Sequence, residues 1–263
     1  MSDAGFSDHR FSDHFSAVAS QYASARPEYP PALFAWIAGI APACGLVWDA
    51  GCGSGQASRG LAEVFDAVFA TDPSASQIAQ AASVDGKRSD GVRFAVEPAE
   101  RCSLADESVD AVCVAQALHW FDRGAFFAEC ARVLKPGGVL VAWGYRDIEV
   151  PETLREAVGH FAARIRDAWP AERHLVDRAY ADFAFPFEAV DTATLPVREI
   201  VADWSLMRML EYFSSYSAVK RYREARRVDP VAAHAWEIAT AWGDSSATQR
   251  LRWPLFLHAR RKI

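Results

Sequence analysis

Over the first 145 residues, short apolar runs alternate with segments whose apolar positions recur at helical spacing. The apolar residues before Asp49 predict a first strand ending near Trp48. Val68–Asp72, Val92–Glu97, Ser108–Ala117 and Val139–Trp143 predict four more. Ser108–Ala117 is apolar almost throughout, the pattern of a strand buried on both faces of a parallel sheet. Between the strands, Leu33–Ile40 and the trio Leu61, Val64 and Phe65 mark helices. Strands alternating with helices predict an α/β architecture. After Tyr145 the character changes. Residues 152–180 place Leu154, Val158, Phe161, Ile165, Ala168 and Trp169 near one helical face. Asp182–Pro196 is irregular and Phe-rich. Arg198–Trp204 predicts a sixth strand, 205–226 one or two helices, 230–243 another, and Arg252–Arg260 a last strand. Pro254 requires an edge or a bulge there. At the other end, residues 1–10 carry no pattern, Phe15–Tyr22 suits a short helix, and Arg26–Pro31 is extended because each proline restricts its predecessor.

The chemistry concentrates where the first strand ends. Asp49-Ala50-Gly51-Cys52-Gly53-Ser54-Gly55-Gln56 turns the backbone sharply and opens a helix, which makes a ligand crevice at the carboxyl edge of the sheet. The dinucleotide fingerprint needs a glycine where Gln56 stands; the third glycine comes one residue early, at Gly55. Asp49 would repel a pyrophosphate and suit a ligand offering ammonium and hydroxyl donors. S-adenosylmethionine, with its ammonium and sulfonium, has that chemistry. Asp72, an acid at the end of the second strand, matches a ribose diol; its alternative role is to cap the helix beginning near Ser74.

Asp49-x-Gly51-Cys52-Gly53-x-Gly55, the acid at strand two, Ser108-Val109-Asp110-x-Val112, Gln116-Ala117-x-His119-Trp120-Phe121 and Val133-Leu134-Lys135-Pro136-Gly137-Gly138 together resemble the type 11 branch of the class I S-adenosylmethionine-dependent methyltransferases. The His-Trp-Phe form resembles the trans-aconitate methyltransferases within it. The likeness is strong over about residues 11–145 and weak beyond. It implies a Rossmann-like, doubly wound, seven-stranded and mostly parallel sheet, with helices on both faces, one antiparallel strand inserted between strands five and six, and a helical cap. The expected organisation is a lid and leader helix over 1–44, a cofactor-binding core over 45–146, an inserted cap over 147–195, and the remainder of the α/β domain over 196–263.

The same resemblance implies that Gly51, Cys52, Gly53 and Gly55 cradle the amino-acid and ribose portions of S-adenosylmethionine. Asp49 would hold the ammonium and Asp72 the ribose hydroxyls. Backbone groups of Ala99 and Glu100 would lie beside adenine, and Ala115 and Gln116 would line the methionine end. The segment carrying Tyr22, Arg26 and Tyr29 would fold over the cofactor; simple packing of the two tyrosines is the alternative. His119, titrating near neutrality, is the candidate general base, against a reading in which it hydrogen-bonds a loop and packs with Trp120. Trp120 would wall the cofactor or fill core. Arg146, Trp204 and Arg208 are the candidates to contact the acceptor, and Trp169, Phe183, Phe185 and Phe187 suggest an enclosed, partly apolar cap or its own small core.

Composition narrows the remaining choices. The net charge of −6 argues against a general nucleic-acid binder. The basic run Lys220–Arg227 is read as a solvated helix face. The five cysteines include no C-x-x-C pair and are read as reduced thiols of a cytoplasmic protein, neither staples nor zinc ligands. The first residues lack the apolar core of a secretory signal, no apolar run is long enough to span a bilayer, and no metal is expected. Methylation of a small organic molecule, with S-adenosylhomocysteine as the product, is the leading expectation, a carboxylic acid oxygen first and carbon or nitrogen second. A non-catalytic S-adenosylmethionine-binding protein and a nicotinamide oxidoreductase are the alternatives. Oligomeric state has no signature in the chain.

Overall fold

The computed structural model describes residues 26–83 and 91–263. The expected leader helix over Phe15–Tyr22 lies outside them, as does the lid candidate Tyr22. The chain divides into two compact units.

The larger unit holds Glu28–Glu149, Ala171–Ile200 and Arg252–Ile263. Its centre is a sheet in which β1 (Leu46–Ala50), β2 (Ala67–Asp72), β3 (Val92–Val96), β4 (Val109–Ala115) and β5 (Leu134–Tyr145) run parallel in the order β3-β2-β1-β4-β5. The order reverses between β1 and β4, so the loops leaving their carboxyl ends flank a crevice. Helix α1 (Pro31–Ile40) leads into β1, and α2 (Gln56–Leu61), α3 (Ala75–Ser83) and α4 (Arg123–Val133) lie between successive strands. Trp48, Val112, Val114, Leu140, Ala142, Phe126 and Cys130 share one buried cluster. Cys113, on β4, is fully buried as well.

Three further strands complete the sheet: β6 (Glu188–Ala189), β7 (Glu199–Ser205) and β8 (Thr248–Arg261). β8 is antiparallel to β5, from Val139↔Arg261 to Tyr145↔Leu255, and β6 and β7 pair with β8. The inserted antiparallel strand is therefore as expected, and β6 makes the sheet eight-stranded. Beyond Leu255 the next bridge is Glu149↔Arg252, so the partner strand advances four residues while β8 advances three. This one-residue slip is the irregularity that Pro254 demands. A second irregularity lies between Val109↔Leu134 and Ala111↔Val139, where Lys135–Gly138 bulges within β5.

Buried acids fix the far edge of the sheet. Asp110 accepts hydrogen bonds from Gly45 N and Leu46 N, both at 3.0 Å, and from Lys135 Nζ at 2.8 Å. One carboxylate thus joins the starts of β1, β4 and β5, and its partners hold its pKa below the usual range. Glu129 of α4 accepts from Cys102 N at 2.8 Å and from Arg132 Nη2 at 2.6 Å, while Arg132 Nη1 reaches Leu104 O at 2.7 Å.

The smaller unit includes Val150–Pro170 and Val201–Leu251, carried on α5 (Arg155–Ile165), α7 (Leu206–Ser214), α8 (Ser217–Arg226) and α9 (Pro230–Trp242). Phe161 stacks on Phe213 at 4.6 Å, and His234 meets Phe161 at 6.1 Å. Asp229 caps α9 by accepting from Val231 N. This division differs from the expected segments 147–195 and 196–263. The helices of 201–251 pack on α5, whereas the aromatic stretch after Ala171, with α6 (Arg173–Asp177), packs on β8. Among the described residues, no helix is long and apolar enough to cross a membrane.

Glu129 yields a test of the packing. The Arg132 hydrogen bond lowers its pKa to about 2 from a model-peptide value of 4.5. A depressed carboxyl contributes stability that is present above its unfolded pKa and lost as pH falls through the folded one. Glu129→Gln should cost about 1–3 kcal/mol at pH 7 in urea unfolding. Its melting temperature should then fall less steeply than the parent's between pH 4.5 and 2.

Candidate active site

The glycine turn takes its shape from close neighbours. Gly51 has φ +69°, and a Cβ there would lie 2.8 Å from both Ala117 Cβ and Phe121 Cζ. Only glycine lets the loop after β4 press so near the loop after β1. Gly53, at φ +54°, faces open space instead. Gly53 N donates to Asp72 Oδ2 at 3.0 Å and Ser74 N donates to Asp72 Oδ1 at 2.9 Å. One oxygen begins α3, as the capping alternative has it, the other ties down the turn, and each keeps a lone pair for hydroxyl donors.

Asp49 is fully buried at the end of β1. Ser58 Oγ donates to its Oδ2 at 2.5 Å, while Oδ1 has no hydrogen-bond partner among the described residues. Burial raises Asp49 to about 7; the Ser58 hydrogen bond opposes this and the Asp72 charge adds to it. A buried acceptor oxygen without a donor is costly unless a ligand supplies one. An unsatisfied carboxylate, a second acid 23 residues downstream and a side-chain-free backbone at Gly53 fit a cationic, hydroxylated ligand. Cys52 is buried in the turn, and burial followed by the Asp49 and Asp72 charges pushes its thiol up, so it contributes backbone only.

Of the other expected cofactor residues, Ala115 and Gln116 fall at the same edge. Ala99 is buried. Glu100 Oε1 accepts from Asp122 N at 2.9 Å, which ties its loop to the end of the β4 loop and leaves its backbone for a ligand. Ala115 ends β4, and Gln116 follows with φ +55°. The Gln116 side chain is committed to β5: Tyr145 N donates to Oε1 at 2.7 Å and Nε2 donates to Tyr145 O at 3.2 Å. Arg26 is exposed. Tyr29 is a core residue, packed edge-on against Trp143 at 5.7 Å and Phe34 at 6.4 Å, so the packing reading holds for it.

His119 lies in the single helical turn Leu118–Trp120, between the two residues that press on Gly51. Its Nδ1 is 2.9 Å from the Tyr180 hydroxyl. Burial lowers its pKa to about 4; the Arg173 charge adds to this and Glu172 opposes it. Trp120 does not fill core: it is 57% exposed, with its ring 4.8 Å from the His119 ring. Of the acceptor candidates, Arg146 is exposed and its N–H donates to Pro254 O at 2.9 Å. Trp204 is buried in the smaller unit against Tyr212. Arg208 lies over the Trp204 ring at 4.7 Å. Its Nε is buried with no acceptor among the described residues. Phe183 and Phe185 join the aromatic packing around Tyr180. Ser58 and Tyr180 carried no sequence signal, since neither stands in a motif.

Comparison with known proteins agrees with this geometry. Residues 48–142 match the Methyltransferase domain family. A Dictyostelium discoideum protein named as a methyltransferase is 31% identical over 225 residues, covering 84% of this chain and 82% of the relative. A solved structure from Anaeromyxobacter dehalogenans, described as a type II methyltransferase, is 40% identical with a TM-score of 0.79, covering 90% of this chain and 97% of that one. A Saccharomyces cerevisiae protein named as an S-adenosylmethionine-dependent methyltransferase is 31% identical over 144 residues, covering 52% of this chain and 49% of that relative. The chain belongs to the type 11 methyltransferases, with their Rossmann-like fold, and is a methyl-transferring enzyme.

The Gln116 clamp gives a mutational test. A Cβ on Gly144 would overlap Gln116 Oε1 and come within 2.6 Å of Phe256 Cζ. Gly144→Ala should destabilise the protein by about 1–3 kcal/mol through overpacking. Denaturant unfolding should show a lower midpoint at an unchanged m-value.

Proposed function

We propose that this enzyme transfers a methyl group from S-adenosylmethionine to an oxygen of a small carboxylic acid, by in-line displacement. When bound, S-adenosylmethionine supplies a methyl group on a positively charged sulfur that leaves as a neutral thioether. Asp49 Oδ1 would accept from its ammonium and Asp72 from its ribose hydroxyls. Backbone at Gly51, Gly53 and Gly55 would approach the ligand closely. Ala99 and Glu100 would flank the adenine, and Ala115 and Gln116 the methionine end. Orientation of such partners can supply about 7–11 kcal/mol of the barrier reduction.

The observation that carries the acceptor class is His119 Nδ1 held 2.9 Å from the buried Tyr180 hydroxyl, in surroundings whose burial also lowers the imidazole's pKa. An imidazole whose conjugate acid titrates near 4 is a weak base and serves a phenol or an ammonium poorly. A carboxylate is nucleophilic at neutral pH without losing a proton; it needs hydrogen-bond donors and cations to hold it. Arg146, exposed just after β5, is the side chain we assign to that task, with Trp120 as a further acceptor contact. The likeness to the trans-aconitate methyltransferases favours the same acceptor class.

Two experiments follow. Because the empty site takes up a proton on Asp49 near pH 7, binding the ammonium must release it. Calorimetry should show S-adenosylhomocysteine affinity falling by up to about tenfold per unit as pH drops below 7, and Asp49→Asn should weaken binding and flatten that dependence. Affinity that is level from pH 5.5 to 7.5 in the parent would remove Asp49 from the ammonium site. For the acceptor, labelled S-adenosylmethionine should methylate members of a panel of small di- and tricarboxylic acids, and Arg146→Gln should raise the acceptor KM more than it lowers kcat. Transfer to amines or phenols, with none to acids, would overturn the assignment.

A further inference from the structure

His119 and Tyr180 form a buried pair within the larger unit, and the direction of their hydrogen bond decides what the imidazole can do. The hydroxyl of Tyr180 and Nδ1 of His119 are 2.9 Å apart. Either atom could carry the shared proton. The surroundings break the tie.

Tyr180 is 1% exposed. Its ring is stacked on Phe183 at 4.8 Å and set edge-on to Phe256 at 5.0 Å. A buried phenol has one proton to donate, and leaving it without an acceptor costs about 1–3 kcal/mol. Among the described residues, the acceptor given to this hydroxyl is His119 Nδ1. If Nδ1 carried the proton, the phenol hydrogen would be stranded among aromatic rings. Burial keeps the phenol protonated and the imidazole neutral at pH 7. The remaining arrangement has the tyrosine donating to Nδ1 and the imidazole proton on Nε2.

The backbone holds this geometry at a cost. Ala179 and Tyr180 have φ +54° and +55°, a left-handed pair that side chains disfavour. Tyr180 N bonds to Leu175 O at 2.9 Å and His258 Nε2 lies 2.7 Å from Ala179 O, so α6 and β8 both brace the bend. A carboxylate partner would do the opposite of this phenol: it would keep the proton on Nδ1 and leave Nε2 basic.

We propose that Tyr180 is a positioning residue that fixes His119 as the Nε2–H tautomer, so that His119 donates a hydrogen bond to the acceptor carboxylate and takes no proton from it. The role at the acceptor rests on the reading of carboxylate methylation given above; the tautomer does not. The donor would sit next to the turn at Gly51, through Ala117 and Phe121. It would hold one carboxylate oxygen while the other attacks the methyl carbon. The C–O bond forms as the S–CH3 bond breaks, its electron pair stays on sulfur, and the oxygen that gained the methyl loses its negative charge.

The test uses the full chain labelled with 15N-histidine. Two-bond 1H–15N correlations at pH 7 should show His119 protonated at Nε2 and unprotonated at Nδ1. Tyr180→Phe removes one oxygen atom and should shift that spin system towards mixed tautomers. A protonated Nδ1 in the parent, or a pattern unchanged in Tyr180→Phe, would overturn the tautomer. His119→Gln preserves a donor near Nε2 and should keep acid methylation within about fivefold, whereas His119→Ala should lose about tenfold or more in kcat. Equal losses in the two would overturn the donor role. If no acid is methylated at all, the acceptor reading fails, while the spectrum still decides the tautomer on its own.

Discussion

The structure depends on how closely two loops approach at the carboxyl edge of the sheet. Gly51 leaves no side chain between them, so Ala117 and Phe121 seat directly on the glycine turn. The parallel pairing of β1 with β4 brings the two strand ends together, and the missing Cβ sets their spacing. His119 stands between those two residues in sequence, so the same contact fixes its distance from the turn. Any larger residue at position 51 would push apart the loops that follow β1 and β4.

Electrostatics divide the sheet into two edges of different character. At the amino edge, the Asp110 carboxylate is fully satisfied by two backbone amides and Lys135. At the carboxyl edge, Asp49 is equally buried but has one oxygen without a donor. Both are acids enclosed by the same apolar strands, yet one sits below its usual pKa and the other is raised to about 7. Burial dominates at Asp49, whereas Lys135 and the two backbone amides outweigh it at Asp110, and Asp49 is the acid with an oxygen left for a ligand. His119 follows the same logic: desolvation makes it neutral, and its tyrosine partner sets which nitrogen is left to act.

Much of this was legible in the chain because it is local. The glycine turn, Asp49, Asp72 and the five parallel strands each announce themselves by spacing or apolar run, and Pro254 forecast the slip in β8. What was hidden depends on distant partners. Gln116 appeared ready to face a ligand, but its side-chain amide is taken by Tyr145, 29 residues away. Tyr29 resembled a lid residue and is packed on Trp143. Tyr180 lies 61 residues from His119 in an irregular stretch, where no periodicity reports a contact. β6 went unseen because Glu188 and Ala189 are two exposed residues without an apolar pattern. The helical unit joins segments on either side of Ala171–Ile200, an assembly that no single window of sequence displays.

The thiols at the heart of the sheet carry a consequence of their own. Cys113 and Cys130 are fully buried, and desolvation holds both far from the reactive thiolate. Alkylating reagents and peroxides meet them only after the strands have parted. Their modification rate is therefore a clock for the opening of the fold, built into its interior and silent for as long as the enzyme stays closed.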